Sequence, residues 1–290
     1  MPRTIQQLRP TGRSANGGQA SGFWRLVRWL LAGYLLVLVL LMFLEESLIF
    51  FPARFPEGDW EPPGLRFEDA WFQAADGTRL HGWYVPHSAP RARVLFCHGN
   101  AGNVSHRAGI VQMLQHHTGV AVLVFDYRGY GRSEGKPHEP GILADARAAR
   151  AWLARRENIP ESEIVLMGES LGGAVAVELA ATDGARALIL ENTFSSLPDV
   201  AAHYYPWLPV RRLLRTRLDA AARIAAYHGP LLQSHGDADT IIPIEFGRRL
   251  FEAAHQPKQF LTLPGLDHND PHPPSYYDAL AAFLDRLPTR

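Results

Sequence analysis

The chain has 290 residues, of which 47% are hydrophobic, so it is long enough for one large domain, or one domain with an appendage, around a substantial core. Its 29 basic and 29 acidic side chains balance, which excludes the net basic charge typical of nucleic-acid-binding proteins. The single cysteine, Cys97, excludes an intrachain disulfide bond.

The N-terminal region divides into a polar tail and an apolar segment. Residues 1–22 are polar, basic and rich in Gly, Ser and Gln, and we expect them to be disordered. Residues 23–44 are predicted to be a transmembrane anchor, because Trp29 to Leu44 carry no charge and a spanning helix needs ~20 apolar residues. A cleaved signal peptide would require a small-residue cleavage site, which residues 45–48 (EESL) do not offer. A buried core helix would show polar positions at helical spacing, and the apolar run has none after residue 35.

The charges on either side of the apolar segment predict its orientation. Residues 1–44 contain five arginines and no acidic residue, whereas Glu45 and Glu46 follow directly after the segment. Basic residues near a membrane end stay in the cytoplasm, and acidic residues contribute little. We therefore expect a single-pass protein with a cytoplasmic N-terminus and an extracytoplasmic C-terminal domain. The alternative, a helix lying in the interface with a cytoplasmic domain, requires a polar face that residues 29–44 lack.

After a Pro- and Gly-rich stretch, the chain alternates between short apolar runs and Ala-rich helical stretches. Residues 45–66 are predicted to be a linker and residues 67–290 a single domain. Strands at 68–74 and 79–85 are separated by AADGT and should form a hairpin. Further strands are expected at 93–97, 120–125, 163–167, 187–190, 231–234 and 259–263, and helices at 105–117, 143–157, 171–182, 243–255 and 275–286. This alternation predicts an α/β fold whose mostly parallel sheet carries helices on both faces.

The residues Gly168-Glu169-Ser170-Leu171-Gly172 fit the pattern G-x-S-x-G and stand between an apolar strand and a small-residue helix. A serine at the tip of a sharp strand-to-helix turn adopts a strained backbone, and a side chain at either glycine would crowd it. The helix that follows directs its N-terminal amides toward any oxyanion formed beside the serine. An ordinary βα turn can also contain Gly and Ser, but this context favours Ser170 as a nucleophile.

A neutral serine needs a base, and the base needs an acid to orient it. Asp237 and Asp239 follow one later predicted strand and His268 follows the next, so the order Ser170, Asp239, His268 is available. Asp237 competes with Asp239, although it follows a glycine and would be a natural turn residue.

The sequence also offers two amides for an oxyanion hole. Leu171, the residue after the nucleophile, supplies one, and the turn His98-Gly99-Asn100 places the other at Asn100. His98 is a second candidate base, but it precedes the serine in the chain, and we expect it to be structural.

Six segments in the same order resemble the α/β-hydrolase superfamily over about residues 45–287: HGNAGN, DYRGYGRSEGKP, GESLGG, ENTFSS, HGDADTIIP and PGLDHND. The sequence is most similar to the membrane-anchored serine-hydrolase branch, the "α/β-hydrolase domain-containing" proteins, which includes lysophospholipid lipases and protein depalmitoylases. The resemblance implies that Ser170 is the nucleophile, Asp239 the acid and His268 the base, with the second oxyanion amide at Asn100. It favours Asp239 over Asp237 because the acid is fifth in the family's His-Gly-x-x-Asp run.

The α/β-hydrolase fold usually inserts a cap where residues 194–229 lie, and we expect a small cap there. Its stretch HYYPWLPVRRLLRTR places aromatic side chains beside arginines. The pattern fits the wall of an acyl-chain site or a membrane-facing surface, and it equally fits an ordinary cap helix with a solvated basic face.

Together these features predict a serine hydrolase that cleaves carboxylic esters or thioesters, with lipid-like or acyl substrates, through an acyl-enzyme. The alternatives are an amidase or peptidase with the same triad, and a catalytically silent, membrane-anchored binding protein. No cofactor is expected, because Gly129, Gly131 and Gly135 miss the spacing of a dinucleotide fingerprint. No metal is expected either, because the histidines lack metal-ligand spacing.

Overall fold

In the computed structural model, the described part of the N-terminal region is one long helix. The structure describes residues 17–288, with side chains from residue 22, so residues 1–16 of the expected disordered tail lie outside the described range. Helix α1 (Gly17–Ile49) contains the whole expected anchor and begins within the expected tail. Its stretch Gly22–Ile49 is long and apolar enough to cross a membrane. The most apolar part of this stretch has a mean hydropathy of 2.4 and contains no buried residue. The helix ends shortly before Pro52, which cannot continue it.

The remainder of the described chain is built around a mostly parallel sheet. Its strands in chain order are β1 (Phe51–Pro52), β2 (Glu68–Gln73), β3 (Arg79–Val85), β4 (Arg93–Cys97), β5 (Ala101–Gly102), β6 (Ala121–Phe125), β7 (Ile164–Glu169), β8 (Ala187–Glu191), β9 (Leu231–Gly236) and β10 (Lys258–Leu263). The main sheet has the order β10-β9-β8-β7-β4-β6-β3-β2. The strands β2 and β3 form the expected antiparallel hairpin, β3 is antiparallel to β6, and the other neighbours are parallel.

Helices cover both faces of this sheet. They are α2 (Ala108–Thr118), α3 (Glu139–Glu157), α4 (Leu171–Asp183), α5 (Leu197–Tyr204), α6 (Val210–Leu213), α7 (Ala220–Ile224), α8 (Ile244–Ala253) and α9 (Pro274–Asp285). Helices α2 and α9 pack together over one buried cluster, and α3, α4, α7 and α8 pack over another. The predicted fold class is therefore confirmed, and α5, α6 and α7 occupy the position of the expected cap.

The segment expected to be a linker contains ordered structure at its start. Residues 45–49 continue α1, and β1 pairs in parallel with β5. Phe50 is only 3% exposed and belongs to a core cluster. The linker was predicted from the prolines and glycines of the segment, and a two-residue strand leaves no periodic pattern that would oppose that prediction. In the structure the beginning of the segment belongs to the folded domain.

Candidate active site

Ser170 lies at the sharp turn between β7 and α4, at the carboxyl edge of the parallel strands. Its φ of 54° and ψ of −120° are values that residues with a side chain rarely adopt. A Cβ on Gly172 would lie 2.0 Å from the carbonyl oxygen of Cys97, and one on Gly168 would lie 2.3 Å from the carbonyl oxygen of Gly172. Both glycines are therefore needed for α4 to pack against the ends of β4 and β7.

Three of the predicted side chains form a hydrogen-bonded chain. His268 Nε2 lies 3.1 Å from Ser170 Oγ, and His268 Nδ1 lies 2.7 Å from Asp239 Oδ2. Because an ionised carboxylate only accepts hydrogen bonds, Nδ1 carries the proton and Nε2 is left to accept the proton of Ser170. All three residues are buried, at 9% exposure or less. The arrangement is the one that a base-activated serine nucleophile requires.

The carboxylate of Asp239 is held by several donors. Its Oδ1 accepts the amides of Ile241 and Ile242 at 2.9 and 2.7 Å. His235 Nε2 lies 3.2 Å from Oδ2, beside the bond from His268. Burial by itself would raise the pKa of Asp239, but the hydrogen bonds from His235, His268 and the Ile242 amide lower it well below its ordinary value. Asp239 therefore remains ionised across the physiological pH range.

Asp237, the alternative acid, lies in an exposed turn. Its Oδ1 accepts a 2.6 Å hydrogen bond from the amide of Gly265. In the described part of the chain, the carboxylate bonded to the imidazole ring of His268 is that of Asp239 and not that of Asp237.

Asn192 supports the loop that carries His268, and sequence reasoning missed it. Its Nδ2 donates a 2.9 Å hydrogen bond to the carbonyl of His268, and its Oδ1 accepts the amide of Gly236 at 3.0 Å. The φ of Asn192 is 45°, in the left-handed region that asparagine tolerates better than most residues. Its place in the segment ENTFSS, directly after a predicted strand, was the only signal in the sequence.

The turn after β4 passes directly beside Ser170. A Cβ on Gly99 would lie 3.5 Å from the Cβ of Ser170, so this turn packs against Ser170, and Asn100 is the next residue of the turn. Leu171 is the first residue of α4. Within residues 17–288, neither the Asn100 amide nor the Leu171 amide donates to a backbone acceptor, so both are available to an oxyanion.

His98 fixes the peptide whose N–H belongs to Asn100. Its Nδ1 lies 2.7 Å from the carbonyl oxygen of Gly99 and donates to it. Because the C=O and N–H of a trans peptide point in opposite directions, this bond directs the Asn100 N–H away from His98. Burial lowers the pKa of His98 to about 3, so its ring is neutral. These contacts are those of the structural residue that chain order predicted.

A cleft of about 440 Å³ opens beside His268. Ile110, Met113 and Tyr277 contribute apolar surface to it. Its charged pair neutralises itself, since Arg107 Nε lies 2.9 Å from Glu169 Oε2. The cleft also contains Glu191, Asp270 and several histidines, so apolar surface and polar groups lie side by side in it. In the described residues, no cluster of three or more His, Cys, Asp or Glu side chains is placed to hold a metal ion.

The fold and the Ser-His-Asp arrangement define a protein of the α/β-hydrolase class. The sequence profile of the alpha/beta hydrolase fold matches residues 92–282, and the chain belongs to this family. It is 44% identical over 229 residues to the protein Rv2307c of Mycobacterium tuberculosis, covering 78% of this chain and 81% of that protein. It is 36% identical over 227 residues to the alpha/beta hydrolase domain-containing protein WAV2 of Arabidopsis thaliana, covering 71% and 73%. The predicted superfamily and branch are confirmed.

A solved structure shares the fold at lower sequence identity. The esterase Pf2001 of Pyrococcus furiosus superposes with a TM-score of 0.65 and 21% identity, covering 82% of this chain and 99% of that one. At this identity the similarity concerns the fold alone.

Proposed function

We propose that the protein is a serine hydrolase that cleaves carboxylic esters or thioesters through an acyl-enzyme. Ser170 is the nucleophile, His268 the base and Asp239 the orienting acid. The observation that carries the proposal is the hydrogen-bonded chain at the strand-to-helix turn, in which Ser170 Oγ lies 3.1 Å from His268 Nε2 and His268 Nδ1 lies 2.7 Å from Asp239.

In the first half-reaction, Ser170 Oγ attacks the carbonyl carbon and its proton passes to His268 Nε2. The amides of Asn100 and Leu171 stabilise the negative oxygen of the tetrahedral intermediate. The ionised Asp239 stabilises the imidazolium and holds its orientation. The intermediate then collapses as the bond to the leaving oxygen or sulfur breaks, and His268 protonates the departing alcohol or thiol.

In the second half-reaction, His268 removes a proton from water, and the water oxygen attacks the acyl carbon of the ester on Ser170. A second tetrahedral intermediate forms in the same oxyanion hole. His268 then returns the proton to Ser170 Oγ as the bond to the acyl group breaks, which releases the carboxylic acid. The cycle consumes one water molecule, and each proton movement is assigned to a residue of this chain.

The surroundings of the triad support an acyl or lipid-like substrate. The cap region exposes Tyr204, Tyr205 and Trp207, at 45%, 52% and 63%. Tyr204 Oη donates to the carbonyl of Thr240, the residue after the proposed acid, so Tyr204 lies next to the loop that carries Asp239. Large exposed aromatic side chains beside a catalytic site are typical of surfaces that contact apolar chains. We therefore favour the first of the two interpretations of the cap.

The test of the nucleophile is Ser170→Ala. We expect the variant to fold and to lose hydrolysis of p-nitrophenyl esters and covalent labelling by a fluorophosphonate probe. Removing the nucleophile costs on the order of 10⁶ in kcat in subtilisin. Ser162→Ala, at an exposed serine, is the matched control and should behave as wild type. Wild-type hydrolysis by folded Ser170→Ala protein would refute the assignment, and preference for aminoacyl amides over esters would indicate an amidase.

We also propose that α1 anchors the protein in a membrane, with the N-terminus in the cytoplasm and the catalytic domain extracytoplasmic. The apolar length of the helix and the arginines before it support this orientation. Alkaline phosphatase or green fluorescent protein fused after the last residue tests it. A fluorescent, phosphatase-inactive fusion would contradict the orientation. A mature protein that begins after the apolar segment would show a cleaved signal sequence instead of an anchor.

A further inference from the structure

The segment that leaves α1 contacts the oxyanion loop directly. We call residues 45–52 the connecting segment. The amide of Phe51 donates a 3.0 Å hydrogen bond to the carbonyl of Asn100, and Asn100 Nδ2 donates a 2.9 Å bond to the carbonyl of Ile49. Tyr130 Oη donates to the same Asn100 carbonyl at 2.7 Å. One of the two residues assigned to the oxyanion hole is thus held through its side chain and its carbonyl by a segment that composition had predicted to be a linker.

A buried carboxylate fixes the beginning of the connecting segment. Glu45 is 3% exposed, and its oxygens accept the backbone amides of Arg215 at 3.0 Å and Thr216 at 2.7 Å. Removing a carboxylate from water is energetically costly unless hydrogen bonds replace its hydration. Glu45 therefore ties the connecting segment to the cap region. The next residue, Glu46, is exposed.

In the middle of the connecting segment, the side chain of Phe50 is buried and that of Phe51 is not. Phe50 is 3% exposed and belongs to the same buried cluster as Phe194 and Leu218. The side chain of Phe51 is 53% exposed, so packing gives little reason for its position. The contribution of Phe51 to the site is its backbone N–H.

We propose that the connecting segment is a positioning element for hydrolysis, with Glu45 and Phe51 as positioning residues that keep the Asn100 amide directed at the oxyanion. This inference rests on the proposed function, since it gives Asn100 a role in stabilising that charge. The His98 bond to the Gly99 carbonyl sets the plane of the Gly99–Asn100 peptide, and the connecting segment holds the carbonyl and the side chain of Asn100. Without the second set of bonds, the turn is held at the Gly99 carbonyl alone, and a displacement of the turn would shift the amide.

Phe51→Pro in the full-length protein, purified in detergent micelles, tests this directly, because proline lacks the N–H that bonds to Asn100. Loss of an oxyanion donor costs ~10²–10³ in kcat, and because Asn100 is misdirected but not removed, we expect a loss of roughly 10-fold. The KM for a p-nitrophenyl ester should not change, because the neutral carbonyl gains little from the oxyanion hole. The affinity for a boronic acid transition-state analogue should fall by the same factor as kcat.

Rates are expressed per active site, counted by complete fluorophosphonate labelling. A purely structural effect would lower the melting temperature and the number of active sites but leave kcat per site unchanged. Glu45→Ala provides a second variant in case Phe51→Pro does not fold, and Glu46→Ala is its matched control. We expect Glu45→Ala to lower kcat per site by a smaller factor than Phe51→Pro. Glu45→Gln, which keeps one acceptor oxygen, should recover part of that loss.

Wild-type kcat per site and wild-type analogue affinity in folded Phe51→Pro protein would overturn the proposal. So would equal effects of Glu45→Ala and Glu46→Ala. In either case, labelling of wild-type Ser170 would leave the proposed hydrolase function standing. If wild-type Ser170 is not labelled, the proposed function and this inference both fail.

Discussion

Exchange of Asp239 for asparagine is the sharpest test of the site, because the structure dictates how the new side chain must sit. The amides of Ile241 and Ile242 both donate to Oδ1, so the asparagine oxygen stays with them. Its NH₂ group then faces His268 Nδ1 and His235 Nε2, where the carboxylate had accepted. Since an NH₂ group only donates, His268 must place its proton on Nε2, and this nitrogen can no longer accept the proton of Ser170.

The expected cost is large. The corresponding exchange in a serine protease triad leaves the geometry intact and lowers kcat by ~10⁴ through the wrong tautomer. At ~1.36 kcal/mol per tenfold change in rate, that loss is about 5 kcal/mol of transition-state stabilisation. We expect a similar loss in Asp239→Asn, measured as kcat for a p-nitrophenyl ester, with KM little changed.

The same exchange affects stability in a pH-dependent way. The pKa of Asp239 is lowered in the folded protein from its ordinary value of 3.8. The carboxylate therefore contributes stability that is present above pH 3.8 and is lost as the pH falls through the folded-state pKa. Asp239→Asn should lower the melting temperature at neutral pH, and the difference from wild type should shrink as the pH falls below 3.8.

Asp237→Asn is the matched control, two residues away and identical in chemistry. Its asparagine oxygen can still accept the amide of Gly265, so kcat should stay near the wild-type value. If Asp237→Asn is the inactive variant, or if Asp239→Asn retains wild-type kcat, the assignment of the acid is wrong.

Two further predictions concern packing and buried charge. Gly172→Ala places a Cβ 2.0 Å from the carbonyl oxygen of Cys97 and should destabilise the fold by about 3 kcal/mol or more, measured by thermal unfolding. Its control is Gly109→Ala on α2, where a Cβ would meet open space, and this variant should have a higher melting temperature than wild type. Burial raises the pKa of Glu191, so its ionisation costs stability as the pH rises above its ordinary value. Glu191→Gln can still accept the hydrogen bond from Tyr276 Oη. Its melting temperature should therefore exceed that of wild type at pH 8 and equal it below pH 4.5. An equal difference in melting temperature at both pH values would contradict this reasoning.

The elements that the sequence predicted are those with a local pattern. Each strand of the main sheet lies at or next to its predicted position. The central strands, such as β6 and β8, are apolar runs buried on both faces, whereas β2 at the edge alternates between buried and exposed residues. The turn at Ser170 was predictable because its steric demands fall on two glycines only two residues away. In each of these cases the residues that interact are close in the chain.

The features that the sequence did not predict depend on residues far apart in the chain. Asn192 joins β9 to the loop of His268, and Glu45 binds amides about 170 residues away. Phe51 acts through its backbone, so its side chain gives no indication of its partner. Composition assigned residues 45–66 to a linker because prolines and glycines recur from Pro52 onward, and the ordered residues before them show no pattern of their own.

The two amides proposed for the oxyanion hole also differ in how much support they need, which accounts for where the connecting segment makes its bonds. Leu171 begins α4, and the hydrogen bonds of that helix fix the direction of its amide. Asn100 lies in a turn after β4, where no helix restrains it. Its direction is set instead by His98 from within the core, by Tyr130 from the turn after β6, and by the connecting segment from outside the sheet. Asn100, the less restrained of the two positions, is therefore the one that receives bonds from the residues leaving α1. Changes to those residues should lower the rate of the chemical step more than they lower the stability of the fold.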